Sequence, residues 1–74
     1  MTKYIFEYSN SFRSNEYEGR NVRDAFKKCY KDWILMSEYS PKDGFEALRI
    51  AQYLAKEEVF YIVLDWLDEQ VNTK

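Results

Sequence analysis

Three groups of side chains in this sequence have the types and spacing that chemistry or binding would need. The first is a lone thiol, because the 74 residues include one cysteine, Cys29, and no histidine. A nucleophilic thiol needs a neighbouring base or an electropositive, partly open site. Cys29 instead lies on the apolar stripe of a predicted helix, between Phe26 and Trp33, so we expect a buried structural cysteine. With one thiol, the chain can form neither an internal disulfide nor a zinc site of the usual ligands.

The second group consists of paired carboxylates, which two-carboxylate hydrolysis would require to face each other across a pocket. The pairs are Glu16 with Glu18, Glu57 with Glu58, and Asp65 with Asp68 and Glu69. Each set lies along a predicted solvent-facing strip, and none has the spacing of a calcium-binding loop. The only two glycines are far apart, so no phosphate-binding loop is formed either. The residue inventory therefore predicts no enzymatic activity, no metal site and no cofactor.

The third group is a row of cations that we call the basic ridge: Arg20, Arg23, Lys27 and Lys31. Their spacing of three and four residues places them along one side of a helix. Such a ridge could follow a phosphate backbone, which makes a small nucleic-acid-binding regulator an alternative function. The net charge of −2 counts against it, because nucleic-acid binders are usually clearly basic.

The charges are unevenly distributed along the chain. Residues 1–42 carry eight basic and six acidic side chains, whereas residues 43–74 carry three basic and seven acidic ones. The two halves either form separate binding faces or neutralise each other in the fold, and neutralisation is the simpler interpretation. Acids interleaved with aromatics suit docking onto an Arg- and Lys-rich partner surface. We predict a protein-binding surface made of Tyr61, Asp65, Trp66, Asp68 and Glu69.

The elements that must position these groups form one small α+β domain over residues 1–74, since the chain is too short for two. Strand-forming residues at 4–8, a turn at 9–11 and a second strand within 12–19 predict an N-terminal β-hairpin. A hairpin of two strands is not stable alone. We therefore expect it to pack on an amphipathic helix.

That helix is predicted from Val22 to about Glu38, with Asn21 as its N-cap. Its apolar stripe is predicted to contain Val22, Ala25, Phe26, Cys29, Trp33 and Met36. The helix places the basic ridge on the opposite side, toward solvent.

A second helical region is predicted to start with Ser40 as cap and Pro41 in the first turn. Phe45 is expected to begin its apolar stripe. Helical spacing then continues almost to the C-terminus, a run too long for one small core. We expect either a break near residues 56–58, giving two shorter helices, or one long helix that dimerises. Residues 59–64 are rich in strand formers, but the helical spacing favours a helix.

The order strand, strand, helix, helices, with the segment EYEGRNVRDAF at residues 16–26, resembles small phage and prophage proteins. The resemblance implies binding to a host factor, including restriction or CRISPR components, and blocking it. We therefore hypothesise a non-enzymatic protein-binding module that inhibits a host defence or regulatory protein, of the anti-restriction or anti-CRISPR type. A homo-oligomeric assembly protein, such as a homodimer, is a further alternative.

Compartment and membrane partners are predicted from what the sequence lacks. No apolar run approaches the length of a membrane span, and the first residues do not have a signal-peptide pattern. A single cysteine suits a reducing compartment. We expect a cytoplasmic protein with a host protein as its partner and no membrane association.

Overall fold

The hairpin and the helices expected from the sequence are both present, and together they make a small α+β fold. The computed structural model describes residues 2–8 and 12–71, so the predicted turn at 9–11 lies outside the described residues. The hairpin consists of β1 (Thr2–Tyr4), β2 (Glu7–Tyr8), β3 (Phe12–Arg13) and β4 (Tyr17–Gly19).

Each strand of the hairpin is interrupted in its middle. β1 pairs with β4 and β2 pairs with β3, both antiparallel, but the second strand has one more residue than the first between the two ladders. Ser14 accommodates this bulge: its N–H donates to the Phe6 carbonyl at 2.8 Å and its Oγ accepts from the Phe6 N–H at 2.8 Å. The bulge fixes Phe6 in the core, while Ile5 faces outward.

Helix α1 (Val22–Ser37) begins at its predicted cap, since the Asn21 side chain accepts a hydrogen bond from the Asp24 N–H at 2.9 Å. Its buried residues are Ala25, Phe26, Cys29 and Tyr30. The predicted stripe is wrong in its last turn, where Met36 is 79% exposed. Tyr30, which is not on the predicted stripe, is buried because its ring packs against Trp66 at a centroid distance of 5.3 Å. The spacing of apolar residues along α1 could not reveal this contact with a distant residue.

Helix α2 (Gly44–Leu54) begins at Asp43 and not at Ser40 as predicted. The Asp43 carboxylate accepts from the Glu46 N–H at 2.9 Å, and the Glu46 carboxylate accepts from the Lys42 N–H at 2.8 Å. These two carboxylates satisfy backbone donors at the helix start, which a single Ser hydroxyl could not do. Pro41 is buried in the connection before the helix.

The helical region is interrupted at Ala55 and Lys56, whose ψ angles of 164° and 163° are extended. The interruption lies where a break was predicted. Two shorter helical regions therefore replace one long helix. What we call the C-terminal segment follows as four short turns: α3 (Glu57–Phe60), a 3-10 turn (Tyr61–Val63), α4 (Leu64–Leu67) and a second 3-10 turn (Asp68–Gln70). Residues 59–64 are helical and do not form a strand.

The core lies where α1, α2, the C-terminal segment and the middle of the hairpin meet. Its centre is a run of edge-to-face rings: Phe6 against Phe26 at 5.1 Å, Phe26 against Tyr30 at 6.4 Å, and Tyr30 against Trp66 at 5.3 Å. The Tyr30 hydroxyl donates to the Ala47 carbonyl at 3.3 Å, which ties α1 to α2. Much of the aromatic content of the chain is thus used to hold the helices together.

Gly19 allows the hairpin to lie directly on the start of α1. A Cβ at this buried position would lie 2.7 Å from the backbone nitrogen of Ala25, closer than side-chain carbons come to backbone atoms. The close approach of β4 to α1 therefore requires glycine at this position.

Candidate functional site

The structure brings the basic ridge and the acidic C-terminal segment together. The Arg23 guanidinium donates to both carboxylate oxygens of Asp65, at 3.1 and 3.3 Å, and also to the carbonyl of Ile62. Hydrogen bonding from Arg23 holds the pKa of the Asp65 carboxyl below its usual value. This ion pair joins the basic first half of the chain to the acidic second half.

Trp66 lies in the contact between α1 and the C-terminal segment, which we call the seam, and not on the outer surface. The ammonium groups of Lys27 and Lys31 lie 5.7 and 5.9 Å from the centre of its ring, a distance typical of cation–π contact. Trp66 is only 6% exposed, so it belongs to the core and does not lie on the outer surface where we predicted it. The remaining member of the ridge, Arg20, pairs with Asp24 at 3.2 Å.

The other predicted partner-binding residues remain on the surface. Tyr61 is 56% exposed, and Asp68 and Glu69 are exposed as well. Together with two exposed aliphatic residues they form what we call the C-terminal surface: Tyr61, Ile62, Leu64, Asp68 and Glu69. Leu67 is 2% exposed and belongs to the core, so of the leucines in α4 only Leu64 is available for self-association.

Cys29 is buried, as expected from its place on the apolar stripe. It borders a small cavity of about 170 Å³ with Ser14, Tyr17 and Asp32. Burial raises the pKa of the thiol to about 11, which disfavours the reactive thiolate at neutral pH. The Tyr17 hydroxyl donates to Asp32 at 2.7 Å, and burial together with this bond raises the pKa of that hydroxyl.

Two negative findings apply to the part of the chain that the structure describes. Across residues 2–8 and 12–71, no three acidic or thiol side chains lie together in a way that could hold a metal ion. Over the same residues, no helix has the length and apolar character that crossing a membrane requires.

The feature that sequence analysis missed is a surface groove of about 470 Å³ between the end of α1 and the outer flank of α2. We call it the aromatic groove, and its main lining residues are Trp33, Tyr39, Phe45, Arg49, Ile50 and Tyr53. Ile50 is 7% exposed and forms part of the floor, whereas Phe45 is 66% exposed at the rim. The rings of Trp33 and Tyr53 lie 6.2 Å apart across the two helices.

The groove exists because α2 has apolar residues on two sides. Ala47, Ile50, Ala51 and Leu54 are buried and set the core face. Phe45, Arg49 and Tyr53 recur every fourth residue on another side of the helix, so they turn away from the core. The prediction that Phe45 begins the core stripe is therefore wrong. The sequence did contain a sign of this exposure. Apolar residues lie on two sides of a helix of 11 residues, and a small core covers only one of those sides.

The charged side chains of the groove are of two kinds. Asp43 and Glu46 lie at the start of α2, where their carboxylates accept backbone N–H bonds. A further hydrogen bond to Glu46 raises the pKa of the Tyr39 hydroxyl. Arg49 lies one turn further along, with its guanidinium carbon 5.7 Å from the centre of the Phe45 ring. The groove thus combines exposed rings with a stacked, exposed cation.

The fold and the groove define a small α+β protein with a ring-lined surface cleft. Comparison of the chain with protein-family models, curated proteins and solved structures finds no match. The geometry of these surfaces and the types of residue that form them are therefore what indicates the function of the protein.

Proposed function

We propose that this protein is a non-enzymatic binding module that holds a segment of another protein in its aromatic groove. The observation that carries the proposal is the exposure of rings around a concave surface, above all Phe45 at 66%. Tryptophan, tyrosine and arginine are the residues most enriched where protein interfaces are strongest. Trp33, Tyr53 and Arg49 supply all three types in one cleft.

Two more apolar side chains are exposed near the end of α1, outside the lining of the groove. Met36 and Leu35, in the last turns of that helix, are 79% and 73% exposed. Single exposed apolar residues are ordinary on protein surfaces, so the proposal depends on the rings that line the groove. None of Met36, Leu35 and Phe45 belongs to the buried core, so core packing does not account for their apolar character.

The proposed partner is a host defence or regulatory protein, and the protein would act by occupying a surface that this partner needs. The resemblance to small phage and prophage proteins supports this wider hypothesis. A free thiol at Cys29 supports a cytoplasmic setting, where thiols stay reduced.

A capture experiment with matched surface variants tests the groove. The tagged wild-type protein, Phe45→Ser and Tyr61→Ser would be incubated with nuclease-treated bacterial lysate, and bound proteins identified by mass spectrometry. We expect one stoichiometric partner on the wild type and on Tyr61→Ser, and none on Phe45→Ser. The reverse pattern would assign binding to the C-terminal surface and contradict the proposal.

The nucleic-acid alternative has less support, because the cations of the basic ridge already contact groups of the protein itself. Arg20 and Arg23 are ion-paired, and Lys27 and Lys31 lie over Trp66. Binding that disappears after nuclease treatment and with rising salt would favour this alternative over the groove.

A further inference from the structure

The four arginines of the chain differ in how their guanidinium groups are satisfied. Three of them have a carboxylate partner within 3.2 Å: Arg13, Arg20 and Arg23. Arg49 has no such partner among residues 2–8 and 12–71. Its guanidinium instead lies 5.7 Å from the centre of the exposed Phe45 ring, at the rim of the aromatic groove.

The acidic side chains of the groove are already engaged by the protein itself. Asp43 accepts the Glu46 N–H at 2.9 Å, and Glu46 accepts the Lys42 N–H at 2.8 Å. Both carboxylates lie at the N-terminal end of α2, where the helix dipole offsets negative charge. Asp43 and Glu46 thus have hydrogen-bond donors, whereas the Arg49 guanidinium has no oxygen acceptor within the described residues.

An arginine in this position has a defined recognition chemistry. Its planar guanidinium offers a fork of N–H donors that matches the two oxygens of a carboxylate. Stacking on the Phe45 ring restrains the guanidinium, so that less side-chain entropy is lost when a ligand binds. The neighbouring floor of Ile50 and the ring of Trp33 can accept an apolar side chain.

We propose that the groove binds a peptide segment in which a large apolar side chain lies within about one helical turn of a carboxylate. The apolar side chain enters the groove, and Arg49 selects the carboxylate. This inference depends on the proposed function, because it specifies the chemistry of the segment that the groove holds.

The first test is a selection from a displayed library of random short peptides, made on the wild-type protein, on Arg49→Gln and on Arg13→Gln. Arg13 is the control, because it is an exposed arginine on the hairpin that does not line the groove. We expect the wild type and Arg13→Gln to enrich peptides that combine a large apolar residue with Asp or Glu. Arg49→Gln should retain the apolar preference and lose the acidic one.

The second test measures affinity with one selected peptide and a version in which its Glu is replaced by Gln, by fluorescence anisotropy. Changing either Arg49 or the peptide carboxylate should weaken binding about tenfold, as loss of a charge-assisted hydrogen bond does. Changing both should cost no more than either change alone, because the two groups form one interaction. Melting curves establish that the variants are folded.

The outcomes separate the inference from the function on which it depends. Selected peptides that are apolar without an acidic preference would overturn the role of Arg49 and leave the groove as a binding site. If no peptide is selected and light scattering shows a dimer that Phe45→Ser dissociates, a second copy occupies the groove, and both proposals are wrong. The absence of both selected peptides and dimers would likewise overturn both.

Discussion

A cation lies over an aromatic ring at two places in the molecule, in the seam at Trp66 and at the rim of the aromatic groove at Phe45. The two contacts differ in how far the ring is buried. Lys27 lies 5.7 Å from the centre of the Trp66 ring, and Arg49 lies 5.7 Å from the centre of the Phe45 ring. Trp66 is 6% exposed whereas Phe45 is 66% exposed. A cation over a ring therefore indicates neither a structural nor a binding role by itself. The burial of the ring decides whether the contact stabilises the fold or remains available to a partner.

Of the variants considered, Trp66→Ala is expected to lower the stability of the fold most. Removing a buried tryptophan costs about 3–5 kcal/mol of folding free energy, a large part of the stability of a small domain. Urea denaturation followed by far-UV circular dichroism should show this loss. Tyr61→Ala is the control, since it removes an exposed ring from the adjacent helical turn. Equal unfolding midpoints for the two variants would contradict the buried position of Trp66.

A smaller difference is expected between two arginines. Arg23→Ala removes the bonds to Asp65 and to the Ile62 carbonyl, and should lower the free energy of unfolding by about 1 kcal/mol. Arg49→Ala removes no bond to an oxygen within the described residues and should leave it almost unchanged. Parallel urea titrations of both variants measure the difference. A greater loss for Arg49→Ala would mean that this side chain supports the fold.

The Arg23–Asp65 pair also predicts a dependence on pH. The pKa of Asp65 is lowered in the folded state, so its contribution is complete above the pKa of the unfolded chain, about 4. The contribution is lost as the pH falls through the lower pKa of the folded state. The stability difference between wild type and Asp65→Asn should thus be constant near neutral pH and shrink in strong acid. In an Arg23→Ala background most of this pH dependence should disappear.

The smallest effect on stability is expected at the groove. Phe45→Ser replaces an exposed ring and should change the free energy of unfolding by less than about 0.5 kcal/mol. Thermal and urea denaturation measure this change, and the same variant should lose the partner in capture experiments. A loss of stability comparable to that of Trp66→Ala would show that Phe45 packs in the fold.

Features decided by neighbouring residues could be predicted from the sequence. Asn21 caps α1 because a side-chain oxygen reaches an N–H three residues on, a purely local bond. The break at Ala55 and Lys56 could be predicted for a different reason, the limited length of helix that the core of so short a chain can cover. The hairpin was visible in its strand formers, but its bulge at Ser14 was not. Residues 13–16 are all polar, so they have no alternation that an inserted residue could disturb.

Features decided by distant residues could not be predicted. Trp66 was predicted on a protein-binding surface, and only its packing against Tyr30 and Lys27 shows that the ring is covered. In α2, apolar residues lie on two sides of the helix, and the sequence does not show which side is buried. The side with Ala47, Ile50, Ala51 and Leu54 is buried, and Phe45 lies outside the core.

The buried cysteine has a consequence for experiments on the motions of this protein. Cys29 lies in α1 beside a surface cleft lined in part by the hairpin residues Ser14 and Tyr17, and the residue is 1% exposed. A thiol reagent reacts with it only after a local opening of the surrounding packing or unfolding of the whole domain. The rate of labelling therefore measures the free energy of the opening that exposes this one position. Because the chain has a single cysteine, no other thiol contributes to that rate.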